Sequence, residues 1–540
     1  MDPTLPFEVT LMKYLFLSLE SLSLGQCVAI HQYLHMELFS FLFLALLFTL
    51  YLYFATQKPC KTNTKGFKDY PLIGTLPEFL QNRHRFLDWT TQVLRDCPTN
   101  TAVFSRPYSS HGVITANPDN VEHMLKTRFE NYPKGERFIN HLQDFLGNGI
   151  FNSDSELWKL QRKIASHEFS TKSLRNFIVN TVTTELQTRL LPILSKASQT
   201  NGLLDLQNLF ERFAFDNVCK LAFNVDPACL GGDGTAGAEF MSAFEDAAVL
   251  SSGRFMSVLP FMWKIKQLLN IGTERRLRKS ITTVHVFADS IIRSRLESRE
   301  HTSDDEDLLS RFIRTQESSP EFLRDVVISF ILAGRDTTSS ALTWFFWILS
   351  SRPDVRRKIH DEIARVRFAT GGVGAFGYEE LKEMHYMHAA LTETMRLYPP
   401  VPVDSKKCAD DDVLPDGTRI GKGWFLSYHT YAMGRMESVW GKDCAQYNPE
   451  RWLENGAFRT ESPFRFPVFH AGPRMCLGKE MAYIQMKSIA ASVMESFEIE
   501  AVDKDTCPEH VLSLTLRIKG GLAVRLRTRD TQSVHPNTRV

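Results

Sequence analysis

The sequence predicts a mainly α-helical protein with a minor β part, an α+β fold class, behind one apolar N-terminal segment. Three observations predict it. Apolar residues recur with helical period over most of the chain from about residue 85. Strand-like alternation is confined to short runs. An uncharged 18-residue stretch lies near the start. The chain has 540 residues, 43% of them hydrophobic and 23% charged, which excludes a disordered chain. Lys and Arg total 63 against 62 Asp and Glu, so no basic excess points to nucleic acid. Nine widely scattered cysteines are too dilute for a disulfide framework.

Residues 1–35 are read as an extension outside the working protein, because Met36 stands directly before the apolar run. Residues 36–57 are read as a retained transmembrane anchor. Its core, LFSFLFLALLFTLYLYFA at 38–55, would form a helix about 27 Å long, enough to cross hydrocarbon. Lys58, Lys61, Lys65 and Lys68 follow it, which places the body on the cytosolic side. Residues 58–80 read as a basic and Pro/Gly hinge, stiff and non-helical through YPLIGTLP at 70–77. Residues 81–529 form the catalytic body and 530–540 a flexible tail. Within the body, helices are expected over 119–127, 154–168, 171–195, 203–221, 274–299, 320–350, 352–366, 378–397 and 477–497. Strands are expected over 102–106, 112–116, 418–421, 512–518 and 522–528, the last two joined as a hairpin through Lys519, Gly520 and Gly521. Residues 231–237 and 301–307 read as linkers.

Four motifs carry chemistry. The strongest is FHAGPRMCLG, with Phe469, Gly472, Arg474, Cys476 and Gly478 spaced F-x-x-G-x-R-x-C-x-G. Two glycines let backbone approach a flat ligand, Arg474 suits a carboxylate, and a helix starting nearby favours a thiolate at Cys476. Glu393 and Arg396 sit at i and i+3 in ETMR, on one helix face, with Arg451 following in NPERW. AGRDTT at 333–338 puts Gly334, Asp336 and Thr337 into an apolar helix. There, Gly334 would let a ligand approach, Thr337 would bond back to the Ala333 carbonyl and open the helix locally, and Asp336 would carry protons. Trp158 and Arg162 stand at i and i+4 in WKLQR. Gly372, Gly374 and Gly377 fit the dinucleotide pattern G-x-G-x-x-G, but a charged helical stretch precedes them instead of a strand, so they read as a loop.

Together these segments resemble the cytochrome P-450 family of haem-thiolate monooxygenases, in family order across residues 70–528. The resemblance implies the cytochrome P-450 fold behind a single N-terminal transmembrane helix, and a haem b whose iron takes the Cys476 thiolate as axial ligand. It implies that Phe469, Gly472 and Gly478 shape the haem loop and that Arg474, Trp158 and Arg162 hold the haem carboxylates. Glu393, Arg396 and Arg451 form a structural lock, and Asp336 and Thr337 serve O2 activation and proton delivery.

The intact acid–threonine pair favours O2-dependent hydroxylation over peroxide rearrangement. No flavin or NADPH module fits in the sequence, so electrons would come from NADPH through a separate flavin-containing NADPH-cytochrome P-450 reductase. Lys159, Lys163 and Lys479 are candidate contacts for its acidic surface. Several stretches, among them GNGIFNSDSELWKLQR and PPVPVDSK, resemble the plant subfamily that hydroxylates fatty acids at the ω end and also contains enzymes that oxidise jasmonoyl-isoleucine. Both substrates join an apolar chain end to a distant carboxylate, and ω-hydroxylation of medium- or long-chain fatty acids is the favoured reading. By position in the family, the pocket walls are residues 133–151, 330–334, 401–404 and 514–516. Lys134, Arg137 and His141 stay open as the carboxylate contact. A monomer on the endoplasmic reticulum membrane, single-pass and in contact with lipid, completes the expectation. A haem sensor or a non-hydroxylating haem-thiolate isomerase is the alternative of a different class.

Overall fold

The computed structural model describes residues 40–45, 49, 66–70, 73–106, 110–169, 181–231, 235–257, 261–298, 307–315, 318–372 and 374–529. These belong to two units, one of residues 1–61 with 68–72 and one of 62–67 with 73–540. In the first unit, residues 40–45 are helical. The rest of the expected anchor, the 1–35 extension and the 530–540 tail lie outside the described residues. Among the described residues, no helix is long and apolar enough to cross a membrane.

The second unit is mostly helical with small sheets. The helices that position the site are α1 (Gly135–Leu146), α2 (Ser155–Ser166), α3 (Leu206–Phe223), α4 (Pro320–Ser350), α5 (His385–Leu397) and α6 (Lys479–Ser496). The 31-residue α4 is apolar nearly all round, the pattern of a helix buried in a large core. It starts cleanly because Pro320 occupies its first turn and the Ser319 side chain accepts from the Phe322 N–H at 3.2 Å. Asp205 caps α3 the same way, accepting from Gln207 N at 3.0 Å and Asn208 N at 3.3 Å. The two helices share one apolar core, with the Phe210 and Phe346 rings stacked 5.5 Å apart.

Apart from two hairpins of two-residue strands at 412–420 and 453–458, the described strands are β1 (Thr101–Arg106), β2 (Ser110–Thr115), β3 (Leu204–Asp205), β4 (Asp404–Lys407), β5 (Phe425–Tyr428), β6 (Phe497–Ala501), β7 (His510–Leu512), β8 (Leu516–Ile518) and β9 (Ala523–Thr528). A four-stranded sheet runs β1-β2-β5-β4. β2 and β5 are parallel, with Val113 opposite Leu426, and the other pairs are antiparallel.

The C-terminal hairpin expected between 512–518 and 522–528 does not form. β7 folds back on β8, with Leu512 opposite Leu516, while β9 pairs with β6 and β3. The physical reason lies in β6, whose FEIEA alternates buried and exposed positions in step with β9. On their outer face Glu498 stands opposite Arg527 and Glu500 opposite Arg525, pairs of opposite charge that stabilise a sheet. The predicted helix 477–497 had absorbed the start of that strand; the helix ends at Ser496. The hinge is also shorter than expected, since a helix occupies Leu76–Asn82 with proline in its first turn. Residues 235–253, read partly as linker, form a helix. The expected helix 171–195 is described only from residue 181. Gly372, Gly374 and Gly377 fall between the helices Pro353–Thr370 and Tyr378–Glu383, as the loop reading expects.

Candidate functional site

The cysteine loop is built by two short 3-10 turns, Pro467–Phe469 and Gly472–Arg474, leading into α6. The Cys476 N–H donates to the Phe469 carbonyl at 2.8 Å and Met475 N to the Gly472 carbonyl at 3.0 Å. Gly472 has φ +64°, and a Cβ there would lie 1.9 Å from the Leu125 carbonyl oxygen, so only glycine fits. The Gly478 N–H faces the Cys476 sulfur, and a Cβ on Gly478 would stand 3.3 Å from Phe169 and 3.9 Å from that sulfur. Burial raises the Cys476 thiol above its ordinary value, with the Gly478 N–H, Arg162 and Lys479 acting against it. The Cys476 side chain is accessible and opens onto a cavity of about 820 Å3.

The same cavity is lined by Trp158, Arg162, Gly334, Thr337, Phe469, Arg474 and Gly478, so the structure brings the expected residues of three motifs together. Arg162 donates to the Met475 carbonyl at 2.5 Å. Arg474 donates to Asp154 at 2.6 Å and to the Ser153 carbonyl at 3.1 Å, and its guanidinium lies 4.3 Å over the Trp158 ring. A donor thiolate backed by a backbone N–H, a glycine cradle beside it, and two arginines at the same wall fit a haem with its two carboxylates.

A second cluster on this wall escaped the sequence reading. Asp404 is bridged by Lys134 at 2.9 Å, Lys406 at 3.0 Å and His470 at 3.4 Å, and it accepts from the Tyr428 hydroxyl at 3.3 Å. Burial works against the Asp404 carboxylate, but the surrounding cations outweigh it and hold its pKa well below the usual range. Burial lowers Lys406 to about 7 and His470 to about 4. The available signal was His470 inside the cysteine motif, at a position the spacing leaves free.

On α4 the Thr337 hydroxyl donates to the Ala333 carbonyl at 2.7 Å, as expected, but the helix runs uninterrupted through that point. Gly334 lines the cavity, as ligand approach requires, and it has a second role in packing. Its missing Cβ would meet Val218 of α3 at 2.6 and 2.8 Å, so the glycine lets two helices approach. Asp336 does not line the cavity. It accepts from Arg335 at 2.6 Å, and Arg335 in turn bridges Glu211 at 3.1 Å. Burial raises the Asp336 carboxyl, opposed by Arg335 and Arg517.

Glu393 and Arg396 are fully buried and joined twice, at 2.7 and 2.8 Å. Glu393 also accepts from the Trp452 indole at 2.8 Å and from Asn448 N at 2.9 Å, with Arg451 at 3.5 Å. The Trp452 ring packs edge-on against Phe466 at 4.8 Å, just before the cysteine loop. Phe469 packs on Tyr483 of α6 at 5.2 Å, and Tyr483 hydrogen-bonds Thr392 of α5 at 2.9 Å.

Parts of all four expected wall segments line the cavity, and so do Phe79, Phe104, Arg106 and Phe425 from outside them. Of the three candidate carboxylate contacts, Lys134 is engaged by Asp404. His141 does not line the cavity; its ring accepts no cavity contact, being bonded to the Arg137 carbonyl at 2.6 Å and stacked on Phe255 at 4.7 Å.

Comparison with known proteins agrees with this geometry. The family model described as Cytochrome P450 matches residues 65–522. The chain is similar to Cytochrome P450 CYP94D108 of Paris polyphylla, 53% identical over 85% of this chain and 91% of the relative. Cytochrome P450 94B1 of Arabidopsis thaliana is 48% identical over 85% of this chain and 91% of its own length. Cytochrome P450 94A1 of Vicia sativa is 46% identical over 86% and 91%.

Proposed function

The chain belongs to the cytochrome P450 family of haem-thiolate monooxygenases, and on that premise we propose that it hydroxylates medium- or long-chain fatty acids at the ω end. The observation that carries this reading is the apolar wall of the cavity on the α1 and α4 side of Cys476, the lining expected of a small-molecule site. Phe, Leu, Ile and Val side chains recur along that wall, among them Phe138, Leu142, Phe330 and Val401. Such walls suit a long alkyl chain, whose methylenes gain from leaving water at about 0.8 kcal/mol each.

The haem, bound through the Cys476 thiolate, supplies the oxygen-activating chemistry. Arg162 and Arg474 would hold its carboxylates, and Gly478 would keep a donor N–H on the sulfur. The Thr337 hydroxyl lies at the cavity wall with its own proton given to the Ala333 carbonyl at 2.7 Å, so its oxygen accepts there and positions the proton donor that delivers to the site. Asp336 is the carboxyl group on the same helix that supplies protons from outside the cavity, raised by burial although Arg335 opposes the shift. Electrons come from NADPH through a separate flavin-containing reductase, for which the exposed Lys163 offers a contact. An anchor over 36–57 holds the monomer in the endoplasmic reticulum membrane with its body in the cytosol.

The test is to incubate the membrane-bound holoenzyme with reductase and NADPH, offering dodecanoic acid and jasmonoyl-isoleucine separately. Mass spectrometry then locates any added hydroxyl. Hydroxyl on the terminal carbon of the fatty acid is expected; conversion of jasmonoyl-isoleucine alone, or of neither, would overturn the reading.

A further inference from the structure

Arginines drawn into this protein's interior are met by carboxylates. Arg254 bonds Glu274 and Asp144, Arg335 bonds Glu211 and Asp336, and Arg396 bonds Glu393. An interior cation left without an anion is costly. Arg106, at the end of β1, and Arg137, in the first turn of α1, are half-buried at the cavity wall and have no such carboxylate. Among the described residues neither forms a side-chain hydrogen bond or an ion pair. Arg106 Nε and Arg137 Nη1 are shielded from solvent and bonded to nothing. Glu136, beside Arg137, is exposed and pairs with neither.

The two side chains share one aromatic floor. The Arg106 guanidinium lies 4.3 Å over Phe79 and 5.9 Å from the Phe104 ring centre. The Arg137 guanidinium lies 3.9 Å over Phe425, and Phe425 meets Phe104 edge-on at 5.0 Å. Burial lowers each guanidinium to about 10, and the charge of Arg106 adds to the effect on Arg137. Both still carry their charge at neutral pH, and Arg137 does so against the charge of Arg106. The nitrogens of each guanidinium other than the two shielded ones are left for a two-pronged bond to a carboxylate from the cavity side. Both arginines line the cavity onto which Cys476 opens.

We propose that Arg106 and Arg137 together form the anchor for the substrate's carboxylate, with Phe79, Phe104 and Phe425 receiving the first methylenes of its chain. This rests on the fatty-acid reading and sharpens it. Neither Lys134, committed to Asp404, nor His141, turned away from the cavity, is the anchor. Two neighbouring cations without an anion, set in apolar walls, select a ligand that is anionic at one end and greasy beside it. A neutral ester or alcohol of the same chain leaves both guanidiniums unmatched.

The experiment compares dodecanoic acid with methyl dodecanoate on the holoenzyme, reading binding by the substrate-induced shift of the Soret band. Wild type, Arg106→Gln, Arg137→Gln and Arg137→Lys are titrated. Wild type should bind the acid more tightly than the ester. Each Gln variant should lose about tenfold or more for the acid, as expected for a lost hydrogen bond to a charged group, and little for the ester. Arg137→Lys should recover part of the loss. The reduced carbon monoxide spectrum and haem content should stay unchanged. Equal binding of acid and ester by wild type, or equal losses on both in the variants, would overturn the anchor whatever product forms. Loss of haem from the Gln variants would reassign the pair to the cofactor's carboxylates and so overturn it too. Arginine-dependent acid binding without terminal hydroxylation would uphold the anchor and overturn ω-hydroxylation.

Discussion

The Trp452 indole donates to Glu393 at 2.8 Å while its ring packs on Phe466 at 4.8 Å. One side chain thus ties the buried Glu393–Arg396 pair to the segment that enters the cysteine loop. The network is structural, and its energetics are those of a buried charge held by charged and neutral donors together.

Replacing Glu393 by Ala should therefore be severe. It leaves the Arg396 guanidinium buried without its carboxylate, a loss of about 3–5 kcal/mol, and releases Trp452 and Asn448. Little or no holoenzyme should be recovered from expression. Arg451→Ala should cost clearly less, since Arg451 stands 3.5 Å from Glu393 and shares its charge with Asp443 at 2.7 Å. Thermal unfolding of the two variants checks the order.

Gly334→Ala should destabilise by about 1–3 kcal/mol, the usual cost of forcing a methyl group into a packed core. The new methyl would meet Val218 at 2.6 Å. Pairing it with Val218→Ala should restore much of the loss, whereas a glycine needed only for ligand approach would show no such rescue. The melting temperatures of both single variants and the double variant decide this.

Thr337→Ala should lower the product formed per NADPH consumed, with the remainder appearing as peroxide or water. Losing a positioned proton donor typically costs about 100-fold or more in the step it serves, while reductase-driven NADPH oxidation continues. Normal coupling in this variant would remove Thr337 from proton delivery.

Asp325 offers a pH-dependent case. Burial raises its carboxyl to about 6, opposed by the Asn148 N–H and Arg324. The folded state therefore binds this proton more tightly than the unfolded chain does. Its contribution to stability is complete below about pH 4 and is lost as pH rises through 6. Asp325→Asn, which keeps an acceptor for the Asn148 N–H at 2.7 Å, should melt higher than wild type at pH 7. That advantage should shrink as pH falls below 6 and vanish near 4.

The cysteine loop was legible in the sequence because a thiolate ligand demands particular residue types at fixed spacing. The long helix α4 was legible through its sustained apolar run; its capping serine and proline could have fixed its start. The four-stranded sheet was not: β2 and β5 pair in parallel although about 300 residues separate them, and no local pattern records such a partner. The β6–β9 pairing was hidden because FEIEA follows a long helix without a break. Gly334 stands beside the cavity, but its packing against Val218 was not legible, since that contact is a tertiary fact. Arg106 belongs to no motif and stands alone at the end of a strand, so only its missing partner reveals it.

The reduced carbon monoxide complex of Cys476→Ser, set beside wild type, bears most directly on the haem-thiolate site. Wild type should show the red-shifted Soret band of thiolate ligation, and the variant should lose it together with all hydroxylation. A red-shifted band that survives in the variant would contradict the assignment of Cys476 and with it the site built around that residue.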